Sequence, residues 1–257
     1  MNKRLKSIPD SNPAFANHPH VEHSSRARFP ATLFGLGLMF GLVGAAQADS
    51  AGPSPSLNPS PSLNVGYSRA RASWVWDLDS NVGNSSLLRI GNSYFGGLLG
   101  SYRAREVTPG HVMTMWFIVF NHPEFCATRP CTNDDLFVDA VQGDFLWTAG
   151  RVVRRGGRAN FVGYLPVGDT THSGMIEIGM PERAVGVVNP LGAEVQIAIH
   201  SHGPAQSGDT LDEQLTSYLG GCEVFLGDDY GNAEGPDDVP TEEGQCSTIQ
   251  KSIHSPQ

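Results

Sequence analysis

Two histidines, His200 and His202, stand two positions apart in AIHSHGPAQSG, residues 198 to 208, at the end of an apolar run. On a β-strand, residues i and i+2 point to the same side of the sheet, so both imidazole rings share one face. Two imidazoles on one face can bind copper or zinc when further ligands join them. His254 ends the last predicted strand and is the candidate third ligand of a predicted His200, His202 and His254 site.

Two other roles for the pair stay open. Ser201 to Pro204 is typical of a strand exit, where a histidine ring hydrogen-bonds the backbone of a neighbouring loop, and this structural role is the expected one. A catalytic base is the remaining alternative, because histidine titrates near neutral pH. The sequence favours the structural role over the metal site and the metal site over catalysis.

A second cluster of chemically active side chains lies in residues 223–245, which hold eight acidic residues and no basic one. Outside the cell, calcium is the cation that clustered carboxylates typically bind. The candidate calcium ligands are Asp228, Asp229, Asp237 and Asp238. Their spacing does not match an EF-hand loop, so the alternative, a solvated loop closed by a disulfide, is the favoured interpretation.

Four cysteines, an even count, indicate disulfides in an exported chain. Three pairings exist, and the favoured one joins Cys126 to Cys131 and Cys222 to Cys246, so that each bridge closes a local loop. The CxxC spacing of zinc ribbons is absent.

Catalytic signatures are missing from the sequence. THSGM, residues 171 to 175, lacks the first glycine of a nucleophile elbow, and neither GNSYFGG nor RRGGRA continues as a phosphate-binding loop. An enzyme is therefore not the favoured class, and no cofactor is expected beyond copper, zinc or calcium. Trp74 and Trp76 alternate on one side of a predicted strand and either fill the core or form a carbohydrate platform.

The start of the chain predicts export. Arg26 and Arg28 precede an uncharged apolar run over residues 31–46, and Ala46-Gln47-Ala48 matches a signal-peptidase site. We expect residues 1–48 to be a leader with a signal peptide, residues 49–64 a Pro/Ser-rich linker and residues 65–257 one β-rich domain.

The composition after residue 48 limits the partners. This part of the chain keeps 12 basic and 24 acidic residues, a net charge of about −12, and Lys251 is its one lysine. Such a surface repels nucleic acid and anionic membranes. We therefore expect an extracytoplasmic ligand, no nucleic acid, and no membrane insertion after signal cleavage.

Short β-type runs make up most of the domain, and their ends position the histidines, cysteines and acids. HVMTMWFIVF, residues 111–120, predicts a strand buried on both faces, and AEVQIAIHS, residues 193–201, alternates cleanly. RVVRRGGRANFVGYL predicts a hairpin at Gly156-Gly157. MIEIGM, residues 175–180, and STIQKSIH, residues 247–254, predict two further strands.

Helices are few. Residues 208–221 predict one, with Asp209 or Thr210 as N-cap and an apolar row of Leu211, Leu215 and Leu219. A second short helix is expected at residues 133–141. The resulting fold class is mainly β, an antiparallel β-sandwich or barrel-like domain with one or two short covering helices.

Four motifs carry a resemblance: Phe120-Asn121-His122-Pro123, the pair Cys126/Cys131, His202-Gly203-Pro204, and Gln214-Leu215 with Gly220-Gly221-Cys222. Together they resemble the pattern of a family of exported bacterial proteins of unassigned function, over residues 105 to 254. The resemblance implies a single exported domain and no activity. Weaker likenesses, to CHRD-type secreted β domains at His202-Gly203-Pro204-Ala205 and to copper–zinc superoxide dismutases at His-x-His, lack the flanking residues of those families.

The leading functional hypothesis is an exported, non-enzymatic structural or ligand-binding module of unknown ligand. The first alternative is a copper- or zinc-binding protein that uses His200, His202 and His254. The second is a calcium-dependent surface or carbohydrate binder that uses the acidic loop and the tryptophans.

Overall fold

The computed structural model describes residues 63–91 and 96–257. The predicted leader, its signal peptide and the linker up to residue 62 lie outside the described residues. Within the described ranges there are nine strands: β1 Asn64–Trp74, β2 Gly83–Gly91, β3 Gly97–Arg105, β4 His111–Phe120, β5 Gly143–Val152, β6 Arg158–Pro166, β7 Glu194–Pro204, β8 Val224–Phe225 and β9 Gln245–His254. The α-helices are α1 Gly174–Glu177 and α2 Asp209–Thr216, and short 3₁₀ helices include Pro123–Phe125 and Asn133–Phe137.

The strands form one antiparallel sheet in the order β5-β4-β7-β9-β1-β2-β3-β6, with the short β8 parallel to β9. The two edge strands approach each other where Gly163 of β6 meets Thr148 of β5. A Cβ atom added at Gly163 would lie 2.4 Å from the Thr148 Cβ, so the close approach requires glycine at this position. The sheet therefore nearly closes into a barrel, which confirms the predicted mainly β, barrel-like class.

Strands β4 and β7 are buried on both faces. Their inward side chains enter the barrel core, whose largest members are Leu87, Leu98, Tyr102, Met113, Met115, Phe117, Ile197, Ile199 and Phe161. Their outward side chains meet a second apolar cluster formed by Trp116, Phe120, Leu136, Val141, Phe145 and Met175. The alternation predicted for β7 is confirmed, because Val195, Ile197 and Ile199 belong to the barrel core whereas Glu194 and His200 lie opposite.

Two predicted elements differ from the structure. MIEIGM contains the end of a helical turn, α1, because the Ser173 hydroxyl accepts a hydrogen bond from the Met175 backbone N–H and caps it. At Gly156 and Gly157 the chain does turn, with φ of 101° and 61°. One antiparallel bridge, Arg154 with Arg158, spans this turn as a hairpin requires, but beyond it β5 pairs with β4 and β6 pairs with β3.

Helix α2 is shorter than predicted and ends at Thr216. Gly208, at φ 65°, is its N-cap, and neither Asp209 nor Thr210 caps it. Gln214, rather than a leucine row, is its fully buried residue, because its amide donates to the carbonyls of His202 and Pro204. The second predicted helix appears as the 3₁₀ helix Asn133–Phe137.

A polar network lies inside the barrel around Arg89. This arginine is fully buried, and its guanidinium donates to the carbonyls of Pro190, Ala193, His254 and Ser255 at 2.8 to 3.0 Å. Burial lowers the Arg89 pKa to about 10, so the group stays charged at neutral pH. Arg89 thereby joins the end of β9 to the loop before β7.

His254 belongs to the same network. Ser85 donates its hydroxyl hydrogen to Ser252, so Ser85 Oγ accepts from His254 Nε2–H at 2.8 Å. The Nδ1 atom of His254 then accepts from the Ser68 hydroxyl at 2.8 Å. Burial, and secondarily the Arg89 charge, lowers the His254 pKa to about 4, so the ring is neutral in the folded protein.

We expect Arg89→Met to destabilise the protein by roughly 3 kcal/mol or more, because four carbonyls, three of them in buried residues, lose their donor. Arg89→Lys keeps the charge but offers fewer directed donors, so its free energy of unfolding should lie between those of wild type and Arg89→Met. Urea unfolding of the oxidised proteins measures both values. An Arg89→Met protein within about 1 kcal/mol of wild type would contradict this role.

The pKa of His254 predicts acid sensitivity. The pKa in the folded protein, about 4, lies below the ordinary histidine value of 6.5, so the unfolded chain binds a proton first and stability falls as the pH drops from about 6.5 towards 4. Between about pH 7 and pH 4.5, protonation linked to His254 should lower the free energy of unfolding by roughly 2 to 3 kcal/mol.

His254→Gln should be less stable at neutral pH but should lose correspondingly less stability on acidification. The free energy of unfolding, measured by urea titration across this pH range, gives both slopes. Equal slopes for the two proteins would show that His254 is not responsible.

Candidate functional site

His200 and His202 lie on the outer face of β7 and are fully buried, not at a solvent-exposed rim. His200 stands opposite Thr114 of β4 and Thr248 of β9. The pairing of β7 with β9 shifts between Ile199 and His200, where Ile249 is the extra residue. The covering layer above the two rings comes from the segment after α2 and from β8.

Hydrogen bonds fix the tautomer of His202. Its Nδ1 lies 2.8 Å from the Gly220 carbonyl oxygen, which can only accept, so Nδ1 carries the proton. Its Nε2 lies 3.0 Å from Thr114 Oγ1, which in turn accepts from Trp116 Nε1–H at 2.8 Å. His202 therefore bonds a loop carbonyl, as the structural interpretation of the strand exit predicted.

His200 is less fully satisfied. Its Nδ1 lies 3.1 Å from Thr248 Oγ1, whereas its Nε2 is buried without a hydrogen-bond partner in the described part of the chain. Its ring stacks on Tyr218 at 4.4 Å between centroids and meets the His202 ring edge-on at 4.8 Å. A fully buried nitrogen without a partner costs free energy and calls for an explanation.

Both rings are neutral in the folded protein. Burial lowers the His202 pKa to about 4, and it lowers the His200 pKa well below 6.5, with the neighbouring His202 as the smaller cause. Neutral imidazole is the form that ligates metals. The same burial keeps both rings out of reach of a solvent-borne substrate, so the geometry does not favour a catalytic base.

Both predicted disulfides are confirmed, Cys126–Cys131 and Cys222–Cys246. The second lies against His202, with 3.5 Å from Nδ1 to Cys222 Sγ and 3.8 Å to Cys246 Sγ. One ligand atom from each of His200, His202, Cys222 and Cys246 can be chosen so that all four lie within 4.8 Å of one another. We call these four residues the histidine–cystine cluster.

The sequence did not reveal this cluster, because neither Cys222 nor Cys246 is close to His200 or His202 along the chain. The missing information was the pairing of β7 with β9, which brings Thr248, two residues after Cys246, opposite His200. The Gly220-Gly221-Cys222 stop after α2 then places the second sulfur above the same face.

His254 does not join the two histidines. It pairs with Val195 and lies in the barrel interior, six residues along β9 from Thr248. At about 3.3 Å per residue this separation is about 20 Å. The structure thus brings two cysteines, not a third histidine, to His200 and His202.

Two of the four predicted calcium ligands accept hydrogen bonds from the backbone of their own loop. Asp228 Oδ1 accepts from the Tyr230 and Asn232 backbone N–H groups, and Asp238 Oδ2 accepts from the Glu234 N–H. Within residues 63–91 and 96–257, no group of three or more candidate ligands with metal-site spacing includes the predicted Asp228, Asp229, Asp237 or Asp238. Calcium binding by these four residues remains a prediction, because their carboxylates do not converge on a common point in the described structure.

A cleft of about 630 Å³ lies between the two loops that the disulfides close. One wall is the Cys126–Cys131 loop and the start of the following 3₁₀ helix, and the other is the acidic loop. The floor is Lys251 of β9 with the turn after β1. The lining side chains with polar or aromatic groups are Trp76, Arg129, Asn133, Asp134, Asp228, Tyr230, Asn232, Glu234 and Lys251.

In this cleft two of the acidic side chains have hydrogen-bond partners, whereas the basic side chains have none among the described residues. Burial lowers the Lys251 pKa, while Asp228 and Glu194 act in the opposite direction. No described side chain forms an ion pair or hydrogen bond with Lys251 or with the side chain of Arg129. By contrast, the Asp134 carboxylate accepts from the Tyr230 hydroxyl, and Asp228 is engaged in its turn.

An aromatic surface borders the same cleft. Trp74 and Trp76 are both half-buried, and their rings stack at 4.8 Å with 11° between planes. The two rings therefore share one environment, as predicted, but β1 ends at Trp74 and Trp76 lies in the following turn, so the stacking does not come from alternation along a strand. Trp76 lines the cleft.

Across residues 63–91 and 96–257, the helices are all too short or too polar to cross a membrane. Comparison of the chain with family models, curated proteins and solved structures finds no match. The functional conclusion therefore depends on the geometry of the cleft and of the histidine–cystine cluster alone.

Proposed function

We propose that the protein is an exported, non-enzymatic binding module that takes an acidic saccharide into the cleft between its two disulfide-closed loops. The observation that carries the proposal is the partly buried Lys251 ammonium, which lines the cleft beside Trp76 without a hydrogen bond or ion pair from the described residues. Four cysteines paired as two disulfides support an oxidising compartment, and so export.

Both walls of the cleft are held rigidly. Glu194 Oε1 accepts from the Cys131 backbone N–H at 2.9 Å, and Gln196 Nε2 donates to the Cys131 carbonyl at 2.8 Å. Opposite, Asp228 accepts from backbone N–H groups on both sides of the turn apex. A preformed cleft binds its ligand with little ordering cost.

The lining matches the two kinds of surface that a sugar ring presents. A flat, apolar ring face can lie on the Trp76 indole, and ring hydroxyls can bond Asn133 and Glu234, whose side chains have no hydrogen-bond partner among the described residues. A carboxylate on the sugar would neutralise Lys251, with Arg129 near it on the rim. The chain as a whole is acidic, and the cleft is also lined by Asp134, Asp228 and Glu234. Lys251 and Arg129 therefore attract a carboxylate at contact distance rather than at long range.

The proposal is tested with a matched pair of ligands, oligogalacturonate and its methyl ester, which differ in charge but not in ring structure. Isothermal titration should detect binding of the acid form and a loss of at least about tenfold for the ester. Binding of the acid form should weaken with added salt. Absence of binding to either ligand, and to a panel of other uronic-acid oligosaccharides, would refute the proposal.

Variants then place the ligand in the cleft. Trp76→Ala should weaken binding at least about tenfold, and Lys251→Met should reduce the affinity for the acid form to that for the ester. Tyr67→Ala and Arg103→Met remove an exposed aromatic ring and an exposed charge outside the cleft, so both should bind as wild type. Equal losses in the cleft variants and in these controls would show that the ligand binds elsewhere.

A further inference from the structure

We propose that reduction of Cys222–Cys246 converts the histidine–cystine cluster into a four-coordinate zinc site, with His200, His202, Cys222 and Cys246 as ligands. In the oxidised protein the two sulfurs are bonded to each other and the site is closed to metal. In the reduced protein the same four residues bind Zn²⁺.

The two distances from His202 to the sulfurs are close to those of a tetrahedral site, and the ligand atoms of all four residues lie within 4.8 Å of one another. Zinc–sulfur bonds of about 2.3 Å and zinc–nitrogen bonds of about 2.0 Å give tetrahedral edges of about 3.5 Å between nitrogen and sulfur and about 3.8 Å between two sulfurs. The His202 Nδ1 atom lies 3.5 Å from Cys222 Sγ and 3.8 Å from Cys246 Sγ. Reduction is the step that allows the two sulfurs to separate.

The second observation is the unpartnered nitrogen of His200. This ring is fully buried, and its Nε2 has no hydrogen-bond partner within the described chain, although Nδ1 bonds Thr248. With Nε2 on the metal, Nδ1–H would stay on Thr248 Oγ1, which is how metal-ligating histidines are normally oriented. A metal therefore gives a role to an atom whose burial is otherwise unexplained.

His202 has an equivalent partner behind it. When Nδ1 binds the metal, its proton moves to Nε2, which faces Thr114 Oγ1 at 3.0 Å. The Thr114 oxygen already accepts from Trp116 and has a second lone pair for the new donor. Gly220 O loses its donor in this state.

The chemical steps balance with a dithiol as the reductant. One dithiol sulfur attacks Cys222 Sγ, the more exposed of the two, and Cys246 leaves as the thiolate. The second dithiol sulfur releases Cys222, so the reductant is oxidised to its disulfide and the protein gains two electrons and two protons. Zinc binding to both thiolates then releases those two protons.

The other disulfide provides a matched comparison. Cys126 and Cys131 also lie within metal-ligand distance of Asp135, but no histidine completes that group. The Asp135 carboxylate already accepts three hydrogen bonds, from Ala127 N, Thr132 N and Thr132 Oγ1. We therefore expect this pair to bind no zinc when reduced.

The experiment uses the full chain without a histidine tag, as wild type and as Cys126→Ser/Cys131→Ser, in which two cysteines remain. Each is reduced with dithiothreitol, freed of reductant without oxygen, and titrated with Co²⁺ as a spectroscopic substitute for Zn²⁺. We expect one equivalent bound, with tetrahedral cobalt bands and thiolate charge transfer, fully displaced by Zn²⁺. The oxidised proteins should bind less than about a tenth of an equivalent.

Each contrary result has a definite meaning. A folded, reduced protein with two titrated thiols that binds no cobalt would overturn the proposal, as would equal binding by the oxidised form or binding without thiolate charge transfer. If reduction unfolds the chain, Zn²⁺ should restore the circular dichroism of the folded protein, because a closed site of this kind contributes folding free energy. Failure of zinc to do so would count against the site.

A variant pair checks the ligand assignment. His202→Gln in the Cys126→Ser/Cys131→Ser background should lose the tetrahedral cobalt spectrum, whereas His172→Gln, a change at a histidine outside the cluster, should keep it. A normal spectrum in the reduced His202→Gln protein would show that His202 is not a ligand.

Discussion

The structure depends on the burial of a polar row along the outer face of β7. Glu194, Gln196, His200 and His202 all point away from the barrel core, yet all four are buried. Buried polar groups must find partners or cost free energy, so this row determines what can cover the strand. Each of these four side chains therefore needs a particular hydrogen-bonding group in the layer that covers β7, and an apolar contact cannot replace that group.

The row orders the two disulfide-closed loops. Glu194 and Gln196 hold the backbone of Cys131 at one end of β7. His202 binds the Gly220 carbonyl at the other end and packs against Cys222–Cys246. Because both loops are fixed to one strand, the cleft between them has a defined width, and Lys251 on neighbouring β9 forms its floor.

Much of this arrangement is predictable from local pattern. Alternation in residues 193–201 correctly separates an apolar row from a polar one, and the preference for bridges that close local loops gives the correct cysteine pairing. The glycine pair at Gly156-Gly157 correctly predicts a turn, but a turn does not reveal which partner each flanking strand takes. MIEIGM has the period of a strand over too few residues to exclude a helical turn capped by Ser173.

The candidate sites were not predictable, because each depends on contacts between distant parts of the chain. His254 has the residue type of a metal ligand, yet the antiparallel pairing of β9 with β7 places it beside Val195 instead of beside His200. The same pairing brings Cys246 to the histidines, over a separation of more than forty residues. A sequence shows residue types and spacings, whereas strand partners are selected by the burial of whole faces.

A single irregularity in the sheet sets which residues share the cluster. Ile249 is an extra residue in β9 opposite the Ile199–His200 step, and its side chain enters the barrel core. Without it, the side chains of β9 on one side of this point would turn to the other face, because the side-chain period of a strand is two. Thr248 would then no longer face His200 on the outer side. The bulge therefore lets β9 supply Ser252 and His254 to the interior network while Thr248 still meets the histidine–cystine cluster outside.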